Sequence, residues 1–367
     1  MKLEGIKVVD LSLFLPGPQM TAMMADHGAD VLKVEPPAGD PSRQMAPFEA
    51  GQSVWFRTTN RGKRSVTLDL KSDMGLSTLY DLVKDADVLV EAFRPGVAKR
   101  LGIDYPTLSG LNPRLVYCSI SAFGQDGPLA DHPAHDMAVE ALLGFMSVND
   151  DREGVPVVPA VPAADMAASL TALSGVLMAL IGRDKTGRGD YLDIAMFDSL
   201  APWSGHIAGP AFAEGRSVRS SEQRSLGGAA FYQVYETADD RYLVLAGREE
   251  KFVRNLLNAL NRPDLIEASI GDAGAPQHLV IQALSEIFRT RTLADWVQWF
   301  NDKNVCFAPV LDFVEAFESE QMIARGMMLI GPDGQHLIGS PIKFRHEPGA
   351  VSFEAPILRS NDTNDAS

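Results

Sequence analysis

The sequence predicts an α/β chain: a mostly parallel sheet in a large domain, with a smaller α+β domain after it. Three observations carry this prediction. The first third alternates short β-branched runs with helical spacing, and the texture changes after Pro210 to a polar Arg/Ser stretch followed by paired strand-like runs. The third is length, because 367 residues allow two domains at roughly 100–200 residues each.

Along the chain, Ile6 to Leu11 reads as a strand, Gln19 to His27 as a helix and Val31 to Glu35 as a second strand. The cycle repeats with a strand from Ser65 to Leu70, a helix from Asp73 to Lys84, and strands at Val88 to Val90 and Leu115 to Ile120. Strands alternating with helices of ~10–15 residues imply a parallel sheet covered on both faces, a Rossmann-like core. Helical spacing returns at Asp136 to Met146 and Met166 to Ile181, and a turn at Thr186-Gly187-Arg188-Gly189 leads into a strand from Tyr191 to Met196. Strands at Phe231 to Tyr235 and Tyr242 to Ala246 are joined through Asp239-Asp240. Helices follow at Phe252 to Leu260, His278 to Arg289 and Leu293 to Asn301. The expected division is a large domain over 1–200, a linker over 201–227, a small domain over 228–308, and a return segment over 309–367 with a polar tail from Ser360.

Lys+Arg 33 against Asp+Glu 48 gives a net charge of −15, which repels polyanions and argues against a broad nucleic-acid surface. The two cysteines, Cys118 and Cys306, are far apart and lack metal-ligand spacing, so neither a disulfide framework nor a metal site is expected. Their scarcity fits a reducing, cytoplasmic compartment. Met1 to Asp10 lacks the pattern of a signal peptide. The apolar stretch Leu170 to Ile181 falls short of the ~20 residues that cross a bilayer, so no membrane partner is expected.

The first strand leads into Leu15-Pro16-Gly17-Pro18, not G-x-G-x-x-G, and prolines remove amides that a pyrophosphate needs, which disfavours NAD. Two basic groups stand out instead: Arg57, Arg61, Lys63, Arg64 and Lys71, then Arg94, Lys99 and Arg100. Near strand ends they suit ligand phosphates, though a solvated face fits equally well. His135 falls just before a helix whose N-cap is expected to be Asp136, where the positive helix end keeps an imidazole neutral as a base. A solvated loop histidine is the alternative. Asp165 opens the next apolar helix, as a plain N-cap or as a carboxylate whose pKa the helix dipole lowers. Glu249, between a strand and a helix, reads singly as a first-turn acid.

Taken together, the motifs resemble the family III CoA-transferases and α-methylacyl-CoA racemases. The matching stretches include Gly28-Ala29-Asp30-Val31-Leu32-Lys33-Val34-Glu35-Pro36-Pro37, Thr67-Leu68-Asp69-Leu70-Lys71, Phe93-Arg94-Pro95-Gly96-Val97 and Gly124-Gln125-Asp126-Gly127-Pro128, in order over nearly the whole chain. The racemase branch is the closer resemblance, on Ala134-His135-Asp136, on Asp165 and on Gly227-Gly228-Ala229-Ala230-Phe231-Tyr232. Departures fall at Pro36, Val139 and Met166-Ala167-Ala168-Ser169, so the acyl group stays open. The resemblance implies His135, Asp165 and Glu249 as catalytic residues. It also implies CoA contacts at Leu68, Asp69, Leu70, Lys71, Ala92, Phe93, Arg94 and Arg100, and at Ala134, Asp136, Met137, Ala138 and Val139. It further implies an interlocked homodimer, an acyl-CoA substrate and no permanently bound cofactor.

The expected activity is racemisation of a 2-methyl branched acyl-CoA. His135 and Asp165 would then act on opposite faces of the α-carbon, with backbone amides of the helix after Asp165 binding the enolate oxygen. The alternative is CoA transfer between carboxylic acids, with Asp165 as nucleophile. A CoA-binding protein without catalysis is the third reading.

Overall fold

The computed structural model describes residues 1–151 and 153–358; the tail from Ser360 lies outside the described residues. Two compact units form. The first comprises Met1–Leu143, Ala160–Pro202 and the chain from Phe317 onward, and the second comprises Gly144–Pro159 and Trp203–Ala316.

In the first unit, β1 (Lys7–Asp10), α1 (Pro16–Asp26) and β2 (Asp30–Glu35) make the opening βαβ turn. Helix α1 starts earlier than the periodicity suggests because Pro16 sits at its first position, where proline's missing N–H costs nothing. A short hairpin, β3 (Phe48–Glu49) and β4 (Gln52–Ser53), and helix α2 (Val54–Asn60) precede β5 (Arg64–Thr67). Helix α3 (Asp73–Lys84) occupies the expected span, capped by Ser72, whose hydroxyl accepts from Gly75 N at 3.1 Å. Then come β6 (Val88–Glu91), α4 (Val97–Arg100), α5 (Tyr105–Leu111), β7 (Val116–Ser121), α6 (Asp136–Leu142), α7 (Ala163–Thr186), β8 (Tyr191–Ala195) and α8 (Met196–Leu200).

The six strands form one sheet in the order β5-β2-β1-β6-β7-β8, every pair parallel. The Rossmann-like α/β class read from the sequence is therefore the fold of this unit. The strand order reverses at β1, so the carboxyl ends of β1, β2 and β6 border the crevice where open α/β sheets bind ligands. Val9, Leu89, Leu115 and Leu79 pack one core of the unit, all buried.

The second unit pairs β9 (Tyr232–Glu236), β10 (Tyr242–Ala246) and β11 (Phe307–Pro309) as an antiparallel sheet, after helix α9 (Gly209–Glu214). Its other helices are α10 (Glu250–Ala259), α11 (Ile266–Ile270), α12 (His278–Phe288) and α13 (Leu293–Phe300), packed around Trp296 and Phe288. Pro309 thus ends a strand of the small sheet, and the chain rejoins the first unit at Phe317. Helices α14 (Phe313–Phe317) and α15 (Glu320–Ala324) and a hairpin of β12 (Met328–Ile330) and β13 (His336–Ile338) follow.

One expectation changes here. Helix α7 is 24 residues, longer than the apolar stretch that predicts it, and by length and composition alone it is long enough to cross a bilayer. Ala164, Ala167, Ala172 and Val176 on one side of it are nonetheless buried, as in a core helix.

Candidate active site

The loop between β1 and α1 is built on buried charge. Asp10, at the end of β1, accepts from Ser12 N at 2.9 Å, Thr21 Oγ1 at 2.6 Å and Lys63 Nζ at 3.0 Å, and also from the Ser12 hydroxyl. Lys33 Nζ donates to Ser12 O at 2.8 Å and pairs with Asp40 at 2.9 Å, while Lys63 Nζ also reaches Pro18 O at 3.0 Å. Burial works to raise the Asp10 pKa, but Lys63, Lys33 and the two hydroxyls outweigh it and hold the carboxyl far below the usual range. Burial pushes Lys63 down to about 8 against the pull of Asp10. Gly17, in the first turn of α1, is required against this loop, since any Cβ there would strike the Ser12 side chain. Phe14 is held at φ 64°, a left-handed conformation unusual for a bulky residue, and its ring meets the His135 ring edge-on, centroids 6.3 Å apart.

These pairs reassign the first basic group. Lys63 is bound to Asp10, Arg61 to Asp26 at 2.7 Å, Arg64 to Asp30 at 2.8 Å, and Arg57 to Glu49. All four are thereby engaged in ion pairs within the fold. Lys71, beyond the carboxyl end of β5, and Arg94, Lys99 and Arg100, beyond β6, are exposed and make no ion pair among the described residues. These are the cations left for a ligand's phosphates.

Next to them is a cavity of about 160 Å³ lined by Leu68, Asp69, Leu70, Lys71 and Phe93 together with Leu11, Leu13, Pro36, Pro37 and Leu101. Five residues expected to contact CoA are therefore brought to one mostly apolar slot with a cation at its edge. The turn that presents Asp69 lies directly over α3, and a Cβ on Gly75 would collide with the Asp69 carbonyl. Ala92 and Arg94 flank Phe93, with Arg100 at the end of α4. In the other expected contact segment, His135, Met137 and Ala138 are exposed and Ala134 and Asp136 half-buried, whereas Val139 is 0 % exposed and turns inward.

At the start of α7 the structure departs from the sequence reading. The N-cap of α6 is His135, not Asp136, and the N-cap of α7 is Pro162, not Asp165. Asp136 instead reaches across, its Oδ1 accepting from Ala164 N at 2.7 Å and Asp165 N at 3.0 Å, while Glu140 Oε1 accepts from Ala163 N at 3.2 Å. Met166 N bonds Pro162 O at 3.1 Å. The first amides of α7 are thus occupied and do not form the oxyanion site expected of them. The Asp165 carboxyl is freed from capping. Burial, followed by the negative charge of Asp136, pushes its pKa up to about 7, opposite to the lowering expected from the helix dipole. Glu140, 4 % exposed, is also raised, by burial first and then by its hydrogen bond to Asp136. Glu249 is the N-cap of α10 in the second unit, exposed and making no capping bond.

Sequence reasoning missed Glu140 and the capping role of Asp136. The signal was present as an acid pair at i and i+4 followed by a helix start, Pro162-Ala163-Ala164, with no Ser, Thr or Asn to cap it.

Residues 3–362 match the model of the CoA-transferase family III. The chain belongs to that family. The acetyl-CoA:oxalate CoA-transferase of Acetobacter aceti is 34% identical over 363 residues, covering 96% of this chain and 92% of that protein. The succinate–glutarate CoA-transferase of Agrobacterium fabrum is 34% identical over 374 residues, with 96% and 92% covered. Among solved structures, a CAIB/BAIF family protein from Brucella suis is 30% identical with a TM-score of 0.84, covering 97% of this chain and 96% of that one. The protein is an enzyme of family III CoA-transferase type. The racemase expectation is corrected by these relatives, which are CoA-transferases by name. That expectation was drawn from Ala134-His135-Asp136, Asp165 and Gly227–Tyr232, with His135 tipping the choice, and one exposed side chain at a helix start does not decide between the two chemistries.

Proposed function

We propose that this family III enzyme moves CoA from an acyl-CoA to a free carboxylic acid, with Asp165 as the nucleophile. The Asp165 carboxylate attacks the thioester carbonyl, and CoA thiolate leaves as a mixed anhydride forms. The thiolate then attacks the Asp165 acyl carbon, releasing the donor carboxylate and leaving CoA on Asp165 as a thioester. An acceptor carboxylate reverses both steps, and Asp165 is regenerated.

The carrying observation is the Asp165 carboxyl, raised to about 7 and free of the caps around it. Burial and the neighbouring Asp136 charge disfavour the anion, so they favour any neutral form, whether protonated or acylated. The same environment that raises the pKa therefore stabilises both covalent intermediates relative to the free carboxylate. It also makes the ionised fraction a stronger nucleophile than an ordinary carboxylate.

CoA lies, on this reading, along the contacts implied by the resemblance, from Leu68–Lys71 through Ala92–Arg94 and Arg100 to the start of α6. It enters as part of the substrate, without a permanently bound cofactor. The exchanged acids are short carboxylic acids with a dicarboxylate on at least one side, as in the names of the Acetobacter and Agrobacterium relatives. The enzyme acts as an interlocked homodimer in the cytoplasm; exposed Leu170, Met178 and Ile181 on α7 are apolar surface that a second copy would cover. The test is an exchange assay with succinyl-CoA or acetyl-CoA and a panel of acceptor acids. A new acyl-CoA is expected only when an acceptor is present, and Asp165→Ala should abolish it. Acceptor-independent α-deuterium wash-in from D₂O, without exchange, would contradict the proposal.

A further inference from the structure

Helix α7 has no cap of its own. Pro162 offers no side-chain acceptor, and the first three amides, which no helix can satisfy internally, are taken by two carboxyls of α6. Asp136 and Glu140 stand four residues apart on one face of α6, Glu140 taking the first amide and Asp136 the next two. A serine or asparagine at 162 would cap the same helix without setting a buried carboxyl beside a half-buried one, an arrangement that costs free energy wherever no cation offsets it. An expensive cap beside the reacting carboxyl points to a task other than ending a helix.

We propose that Glu140 is a positioning residue for Asp165. By fixing Ala163 N it completes the clamp that Asp136 begins, and together the two acids set the backbone from which the Asp165 carboxyl projects. The inference rests on Asp165 being the nucleophile. In that chemistry Asp165 is approached first by an acyl carbon and then, as an anhydride, by a thiolate. Its carboxyl must hold one place through all steps, and a frayed first turn would let it wander.

Two substitutions separate reach from charge. Glu140→Gln keeps an oxygen at the same reach for Ala163 N and replaces the charge-bearing oxygen by an amide N–H, a donor available to Asp136. Glu140→Asp keeps the acid but withdraws it by one methylene from Ala163 N. Steady-state CoA transfer and thermal melting are measured for both. Glu140→Gln is expected to retain kcat within about threefold, whereas Glu140→Asp loses roughly 10- to 100-fold in kcat, with KM for acyl-CoA within about twofold and the protein folded at the assay temperature. Adding Pro162→Ser, a local cap, to Glu140→Asp is expected to return part of the lost kcat. Full kcat in Glu140→Asp, equal losses in both variants, or no recovery in a folded double variant would overturn the assignment. Covalent CoA on wild-type Asp165 is measured in parallel. Its absence removes the nucleophile itself, whereas its presence beside an unimpaired Glu140→Asp counts against Glu140 alone.

Discussion

Two clusters of buried charge in the first unit use the same side-chain chemistry to opposite ends. Under the β1–α1 loop, Asp10 and Asp40 are matched by Lys63 and Lys33, with Lys63 hydrogen-bonded to Asp10 and Lys33 to the Ser12 carbonyl. At the start of α7, Asp136, Glu140 and Asp165 meet with no cation among the pairs the described residues make. The first holds a carboxyl ionised far below the usual range, and the second pushes one up to about 7. Opposite charges brought together fix a backbone. Like charges brought together raise one carboxyl's pKa and, on the proposed mechanism, favour its neutral acylated forms.

The comparison is broken most sharply at the reactive end. Asp165→Asn should lower transfer by roughly 10⁴-fold while leaving the fold intact, since it removes the nucleophile without unpairing a buried charge. A variant with more than about a tenth of wild-type turnover would place the chemistry elsewhere. In the scaffold cluster the expected injury is to stability. Lys63→Met strands Asp10 and should cost about 3–5 kcal/mol in urea unfolding, and an unchanged midpoint would mean that the pair is not holding the loop.

The two clusters should also respond to pH with opposite sign. The folded Asp165 pKa lies above its model value of 3.8, so its contribution is fully present below that value and is lost as pH rises through about 7. Asp165→Asn is therefore expected to be more stable than wild type above pH 7, by about 1–2 kcal/mol after solvent screening, with no such gain at pH 4. Asp10 is lowered, so its contribution is present above the same value and is lost as pH falls towards the folded pKa. Transfer itself should slow as pH drops through about 7, because the carboxylate is the attacking form; a flat rate between pH 6 and 8 would detach the titration from catalysis. The smallest effect is expected at the rim. Lys71→Ala or Arg94→Ala should raise KM for acyl-CoA about 3- to 10-fold, more at low salt, with kcat unchanged.

Much of the fold was legible because period and punctuation agreed. Asp73–Lys84 has its Ser72 cap and an apolar stripe, and Tyr242–Ala246 alternates cleanly, so both were placed to the residue. The family resemblance singled out Leu68–Lys71 as a ligand contact, and these residues line the cavity beside β5. The arrangement around Asp165 was not, because a capping carboxyl supplied by another helix leaves no trace beside the residue it serves. A lone Asp at a helix start reads as a cap until Asp136 and Glu140 are seen to hold that post. The ion pairs of Arg57, Arg61, Lys63 and Arg64 were hidden for the same reason: Asp26 and Arg61, or Asp10 and Lys63, meet only when the chain folds.

The most direct measurement is peptide mass spectrometry of the enzyme mixed with an acyl-CoA in D₂O, acid-quenched without acceptor acid. CoA should be found covalently attached to the peptide containing Asp165, and the recovered acyl-CoA should carry no α-deuterium. An unmodified Asp165 peptide alongside a deuterated α-carbon would contradict the nucleophile and restore a proton-transfer mechanism.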